Sequence, residues 1–335
     1  MWNAVRCAVQ GHGHIKAGVP CQDKTFAAAG NGVEVIALAD GAGSARLSHY
    51  GAETVTRFIC SELIERFDFY YSNDDGIAVK KQLMEGVLGS LMRTANKLQC
   101  DLKDLASTLL FVAVKGEQLM MAHIGDGVIG YLKGDELKVA SQPENGEFAN
   151  TTVFTTSKDA LVTMRLIKGL LGNINGFVLM SDGTEVSLYS KRERKLADVL
   201  KKVMHMSDGF SAEEVQEQLQ ESFEKVIVNT TTDDCSIALL VRKKPVVCAY
   251  MDYEKLPKIQ KRIFLGLHNK AGKRLLRRYD DIFYFLVEGK TLRQISVRTY
   301  MQKKHVRRCM NRLCMLNLLV KDGGCYRTTL GIEKE

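Results

Sequence analysis

An α+β fold is predicted for the first 244 residues, with antiparallel sheet and helices packed outside it, followed by a small basic module. Three observations predict it. Two long helical stretches, a block of strands, two more helices and a last strand do not alternate as parallel βαβ units would. The runs inside the block are separated by Gly116, Gly125-Asp126-Gly127 and Gly134-Asp135, the turn signals of an antiparallel meander. The charge also divides: 27 Lys and Arg against 31 Asp and Glu precede Pro245, a net −4, and 20 against 8 follow, a net +12. Two electrostatic habits in one chain imply two modules with different partners.

The elements follow in order. The opening residues, Met1-Trp2-Asn3-Ala4-Val5-Arg6, run into a strand and carry no basic-then-apolar leader pattern. Val33 to Ala39 is a strand that ends at Asp40-Gly41. Val55, Phe58, Ile59, Leu63 and Phe67 recur at helical spacing within about 48–70. The turn Ser72-Asn73-Asp74-Asp75 then leads to a second helix over about 76–100. Strands are expected at 107–114, 118–124, 128–133 and 136–140. Phe177-Val178-Leu179-Met180 runs into Ser181-Asp182-Gly183, helices follow over about 188–206 and 211–227, and Ser236 to Arg242 closes the region. Residues 141–172 show little periodicity and read as an ordinary surface excursion.

Composition narrows the class. Apolar residues make up 45% and charged residues 26%, the balance of a soluble protein. No stretch approaches the roughly 18 uninterrupted apolar residues of a membrane span. Nine cysteines, an odd number without a CxxC pair, suit reduced thiols in a cytoplasm better than disulfides or zinc. A cytoplasmic protein with no membrane partner is the expectation.

Asp40, Asp126, Asp182 and Asp233 stand at or beside strand ends, where rigid sheets can aim side chains into one cleft. Three precede glycine, which lets the backbone turn tightly and approach a ligand. Gathered carboxylates repel one another unless a cation neutralises them. A hard ion such as Mg²⁺ or Mn²⁺ takes oxygen ligands and meets that need. Taken singly, each Asp-Gly is also an ordinary turn.

Six ordered motifs give the aspartates a context: Gly18-Val19-Pro20-Cys21-Gln22-Asp23, Ala39-Asp40-Gly41-Ala42-Gly43, Ala106-Ser107-Thr108-Leu109, Ile124-Gly125-Asp126-Gly127, Met180-Ser181-Asp182-Gly183 and Thr232-Asp233-Asp234-Cys235-Ser236. Over residues 1–244 this resembles the type 2C (PPM) metal-dependent protein phosphatases, in particular the bacterial branch. The resemblance implies a four-layer αββα sandwich of two antiparallel sheets flanked by helices. It implies hydrolysis of phosphoserine and phosphothreonine by direct attack of a metal-bridging water, with two Mn²⁺ or Mg²⁺ ions and a weaker third. On it, Asp40 bridges both ions with the Gly41 carbonyl on one, and Asp182 and Asp233 complete the other. The family pattern places its ligand first in Asp233-Asp234. Asp23 joins the surrounding water shell, and Asp126 with Asp182 holds the third ion. The implied partner is a phosphoprotein made by a Ser/Thr kinase.

Two positions depart from many relatives. Ala42 stands where they carry a histidine suited to protonating the leaving alkoxide, and Gly18 stands where they carry a phosphate-gripping arginine. His14 and Lys16, in Gly11-His12-Gly13-His14-Ile15-Lys16, are the candidates for phosphate binding, against the plainer reading of exposed loop residues.

Residues 245–269 read as a linker and connecting helix, and 270–335 as the basic domain. Helices are expected at 280–287, at 292–295 with Thr291 as cap, and at 303–316 with Val306, Met310, Leu313 and Cys314 on one face. A hairpin around Asp322-Gly323-Gly324 completes a pattern that resembles a winged helix-turn-helix. Arg307, Arg308, Arg312 and Arg327 are its expected contacts, either to DNA phosphates or to a protein partner. Two whole-protein readings result. One is a phosphatase with a targeting module, and the other is a transcription regulator or scaffold whose phosphatase-like region only senses.

Overall fold

The computed structural model describes residues 2–142, 152–206, 212–242 and 289–329, with 258, 262 and 286 besides. The chain divides into two compact units, Met1–Lys243 and Lys244–Glu335.

In the first unit one five-stranded sheet has the order β1-β12-β9-β6-β7, and a second has the order β2-β3-β4-β5-β8. The first sheet comprises β1 (Trp2–Val9), β6 (Val128–Lys133), β7 (Glu136–Ser141), β9 (Ile174–Met180) and β12 (Cys235–Arg242). The second comprises β2 (Lys24–Gly30), β3 (Val33–Ala39), β4 (Leu109–Lys115), β5 (Gln118–Ile124) and β8 (Arg165–Leu170). Every pairing within these two sheets is antiparallel.

Strand periodicity explains the layers. Along β3, Ile36 and Leu38 join Leu110, Val112, Phe177, Leu179 and Leu240 in a core fed by both sheets. The alternate residues Val35, Ala37 and Ala39 face α2 (Ser48–Ser72) and α3 (Gly76–Leu98), meeting Val55, Ile59, Leu63 and Leu83. The outer face of the first sheet, with Val5, Val178 and Leu239, is covered by Leu200 of α6 (Asp198–Met206) and by Val215, Leu219 and Phe223 of α7 (Ala212–Lys225). Helices, sheet, sheet and helices therefore form four layers. Both faces of each sheet are buried, so the central strands read as near-continuous apolar runs rather than alternating ones. Each fully buried large side chain in these cores, such as Phe111 or Phe177, contributes about 1.5–3 kcal/mol through burial.

Local chemistry sets the helix ends. The Asp75 carboxylate accepts from the amides of Ile77 and Ala78 at 3.0 Å each, capping α3 where the turn signal was read. α2 runs as expected but kinks at Arg66, whose backbone leaves the helical region.

The structure differs from the sequence reading at four places. His12–Ala17 forms a short helix, α1, and Lys24–Gly30 forms β2, an edge strand. The unpatterned stretch after residue 151 contains α4 (Ala160–Thr163) and β8, which pairs along β5. The helix read over 188–206 is three elements: α5 (Asp182–Leu188), a hairpin of β10 (Tyr189–Ser190) with β11 (Lys195–Leu196), and α6. At the break the Ser190 hydroxyl accepts from the Glu193 amide at 3.2 Å, and Arg194 adopts a left-handed conformation, φ 52°. Leu196 is buried, and a Cβ on Gly130 would meet it at 2.4 Å, so the hairpin is held by packing that helical spacing does not reveal.

In the second unit, β13 (Lys290–Thr291) and the hairpin β14 (Leu319–Asp322) and β15 (Cys325–Thr328) make a three-stranded sheet in the order β13-β15-β14. Helices α8 (Leu292–Thr299) and α9 (Lys303–Met315) lie between β13 and the hairpin in sequence. Thr291 and Gln294 form a reciprocal capping box on α8. Val306, Cys309, Met310 and Leu313 are the buried face of α9. The helix expected at 280–287, the linker at 245–269 and the last residues lie outside the described residues, apart from 258, 262 and 286.

Eight cysteines are free among the described residues. No helix among them is long and apolar enough to cross a membrane.

Candidate metal centre

The carboxylates of Asp40, Asp126 and Asp182 come together at one end of the two facing sheets. Each offers an oxygen, and these oxygens lie within 4.8 Å of one another. Asp40 follows β3, Asp126 sits in the turn between β5 and β6, and Asp182 opens α5 just after β9. Four strand ends and one helix start thus converge on a single half-buried cluster.

Backbone contacts fix each position. The Asp40 amide donates to the Thr108 hydroxyl at 2.8 Å, and the Thr108 amide donates to the Asp40 carbonyl at 2.8 Å. Asp182 accepts from the Gly183 amide at 2.6 Å. The Thr152 hydroxyl donates to Asp126, so the segment after residue 151 does reach the cluster.

The glycines beside the aspartates serve a purpose the sequence reading did not assign. Gly41, Gly127 and Gly183 are not among the residues with positive φ. They are pressed against the fold: a Cβ on Gly183 would sit 2.1 Å from the Asp234 carbonyl oxygen, and one on Gly127 would sit 2.5 Å from that of Met180. Gly11 approaches from the other side, where a Cβ would meet the Asp233 carbonyl at 2.3 Å. The Asp233-Asp234 backbone is therefore gripped between α1 and α5. Gly183→Ala is expected to destabilise the domain by about 1–3 kcal/mol through overpacking, readable as a lower urea midpoint.

The two residues of that pair have different environments. The Asp234 carboxylate is buried and accepts from the Gly11 amide at 2.7 Å and the Gln22 amide at 2.5 Å. His14 Nδ1 lies 2.9 Å from it, at an angle outside hydrogen-bond geometry, and His14 Nε2 lies 3.8 Å from Asp233. The Asp233 side chain is 48% exposed and accepts from the adjacent Asp234 amide at 2.8 Å, and its charge reaches Asp40 and Asp182. Lys16 is exposed on α1 and makes no ion pair among the described residues.

Electrostatics identify a site built for positive charge. Burial drives the Asp40 carboxyl well above the ordinary range, and the charges of Asp23, Asp182, Asp126 and Asp233 add to it. Asp182 is raised by burial and then by Asp126 and Asp233. Asp23 is pushed up to about 7 by burial, against the opposing hydroxyls of Ser181 and Ser236. Both Asp23 oxygens are buried and lack a well-formed hydrogen bond. Orphaned carboxylate oxygens beside three half-buried carboxylates are a hard-oxygen donor set, and they fit a divalent cation such as Mn²⁺ or Mg²⁺.

Two participants were not read from the sequence. Glu185, one turn after Asp182 on α5, is fully buried, and burial, Asp182 and Asp126 all act to raise its carboxyl. Its ion-pair partner is Lys191, at the tip of the β10–β11 hairpin. Neither lies in an acidic turn, and their meeting depends on a hairpin that the helical pattern concealed.

A family model described as Protein phosphatase 2C matches residues 10–224. Among curated proteins, serine/threonine-protein phosphatase 3 of Escherichia coli (strain K12) is 24% identical over 165 residues, covering 48% of this chain and 65% of that protein. The match therefore spans just under two thirds of that relative's length. Among solved structures, the S. agalactiae serine/threonine phosphatase superposes with TM-score 0.51 at 16% identity, over 72% of this chain and 100% of the other. The Staphylococcus aureus serine/threonine phosphatase gives 0.49 at 16% identity, over 72% of this chain and 96% of the other. The first of these structures shares the α+β fold of antiparallel sheets and flanking helices.

Proposed function

The chain belongs to the protein phosphatase 2C family, and from that premise we propose that residues 1–244 hydrolyse phosphoserine and phosphothreonine in proteins with two Mn²⁺ or Mg²⁺ ions. The observation that carries this reading is the approach of the Asp40, Asp126 and Asp182 oxygens to within 4.8 Å of one another. In the proposal Asp40 and the Gly41 carbonyl would hold one ion, Asp40, Asp182 and Asp233 would hold the other, and Asp126 with Asp182 would offer a weaker third position. Bound ions would supply Lewis acidity, offsetting the carboxylate charge, polarising phosphoryl oxygens and making a nucleophile available at neutral pH.

The chain's own groups orient the reactants. Asp23, whose two buried oxygens lack a well-formed hydrogen bond, accepts hydrogen bonds from water held beside the cluster. The clamp of Gly11, Gly183 and Asp234 fixes the backbone that carries Asp233. His14 presents Nε2 toward a phosphate oxygen, and Lys16 adds positive charge on the same helix. Water forms the new bond to phosphorus, the serine or threonine oxygen departs and takes up a proton, and inorganic phosphate is the product.

Phosphate release from a phosphothreonine peptide, before and after chelation, tests the reading. Turnover that vanishes with chelator and returns with Mn²⁺ is the expected result. Absence of turnover with Mn²⁺ present would instead leave a sensor or scaffold.

For the second unit, the helix pair with its hairpin, within the described residues 289–329, supports the reading of a winged helix-turn-helix-like domain that engages DNA. The outward face of α9 carries Lys303, Lys304, Arg307 and Arg308, all exposed, and Arg327 is exposed on β15. Arg312 is half-buried, with partners of its own, and is the weakest of the expected contacts. Arg307→Ala with Arg308→Ala is expected to weaken duplex DNA binding and to reduce the salt slope by about 1 for each phosphate no longer engaged. A gel shift across a salt series reads this. An unchanged slope would direct the module to a protein partner.

A further inference from the structure

The β10–β11 hairpin is unlike the rest of the acidic end of the domain. Its loop and flank read Lys191-Arg192-Glu193-Arg194-Lys195, all exposed. Its base is rigid: the Ala197 amide donates to the Leu188 carbonyl at 2.9 Å, Leu196 is buried in the core, and the Tyr189 hydroxyl donates to Gln142. Arg192, Arg194 and Lys195 make no ion pair among the described residues.

Lys191 is anchored from beneath. Glu185 is 1% exposed and Lys191 is 71% exposed, so a buried carboxylate holds an ammonium group at the surface. A buried glutamate one turn from Asp182 is costly unless it is paired. The ammonium has three donors, and the ion pair with Glu185 leaves others for an anion. Glu185 stands one turn after Asp182 on α5, so the ammonium it holds is placed beside the cluster, and the charges of Asp182 and Asp126 act on Lys191 after that of Glu185. Position 18 is glycine, and His14 lies against Asp233 and Asp234 on the α1 side, so Lys191 would add a second contact from the hairpin side.

We propose that the β10–β11 hairpin is the substrate-recognition element, with Lys191 meeting the phosphoryl group and Arg192, Arg194 and Lys195 favouring acidic residues beside the phosphorylated side chain. This rests on the phosphatase reading above. Glu185 is a positioning residue that keeps the ammonium in place.

The test is steady-state kinetics of the full chain with Mn²⁺ on p-nitrophenyl phosphate and on two phosphothreonine peptides, one with acidic and one with basic flanks. Lys191→Ala is expected to raise KM about ten-fold on all three, with kcat within about two-fold, and Lys191→Arg to restore most of the loss. Because Lys191→Ala leaves Glu185 buried and unpaired, Glu185→Gln combined with Lys191→Ala serves as the folded control and should show the same KM. Arg192→Ala with Arg194→Ala should raise KM about three-fold on the acidic peptide alone. Unchanged KM in Lys191→Ala and in its combination with Glu185→Gln, beside an active wild type, overturns the hairpin proposal and leaves the phosphatase reading intact. A wild type inert on all three substrates removes both.

Discussion

Asp40→Asn is expected to lower turnover about 10³-fold or more while raising the thermal stability of the metal-free protein. Both effects come from one carboxylate. In the proposed centre Asp40 serves both ions, so its loss removes the shared ligand. Without ions, the same group is half-buried among Asp23, Asp182, Asp126 and Asp233 and repels them. The sign follows from proton linkage. A carboxyl whose folded pKa is raised binds protons more tightly in the folded than in the unfolded chain. The stability this contributes is fully present below the ordinary value of 3.8 and is lost as pH rises through the folded value, about 7 for Asp23. Chelated wild type should therefore melt at a lower temperature near pH 8 than near pH 5.5, and Asp40→Asn should reduce that difference. For a domain of this size each kcal/mol recovered appears as about 2–4 °C. Scanning calorimetry in chelator, beside phosphate release with Mn²⁺, measures the two halves. A variant that loses activity and also loses metal-free stability would contradict the account.

Asp234→Ala is the second large effect, and it acts on the fold. Gly11 and Gln22 donate their amides to this carboxylate, and His14 lies against it. Removing it leaves two buried N–H groups without acceptors and should cost about 3 kcal/mol or more. Asp234→Asn keeps one acceptor oxygen and should cost about half as much. Urea unfolding of both variants in chelator isolates the structural part. With Mn²⁺ restored, kcat should fall further than stability alone accounts for, because the freed backbone no longer fixes Asp233. A cost below about 0.5 kcal/mol for Asp234→Ala would show that the clamp does not hold the site.

Much of this was legible in the chain. The apolar runs 33–39, 118–124 and 128–133 became strands because burial on both faces leaves a continuous apolar signature. The order of acidic turns pointed to one cleft, and Asp40, Asp126 and Asp182 do share it. The reason for their glycines was not legible. The sequence suggested tight turns, whereas Gly127 and Gly183 are forced by backbones that approach from β9 and from the Asp233-Asp234 pair, distant in sequence. Edge strand β2, with alanines at 27–29, carries too little apolar contrast to register, and it forms because β3 pairs along its whole length. Helical spacing ran through 188–206 because Leu188, Leu196, Leu200 and Met204 all face one core, which a hairpin followed by a helix achieves as readily as one helix. That hidden break is what brings Lys191 to Glu185.

The central claim is that these carboxylates hold divalent cations, and free Mn²⁺ followed by electron paramagnetic resonance during titration of the chelator-stripped protein tests it most directly. Two tightly held ions per chain are expected in the wild type, with loss of one or both in Asp40→Asn. A protein that leaves the Mn²⁺ signal undiminished, or an Asp40→Asn variant that binds as the wild type does, would contradict it.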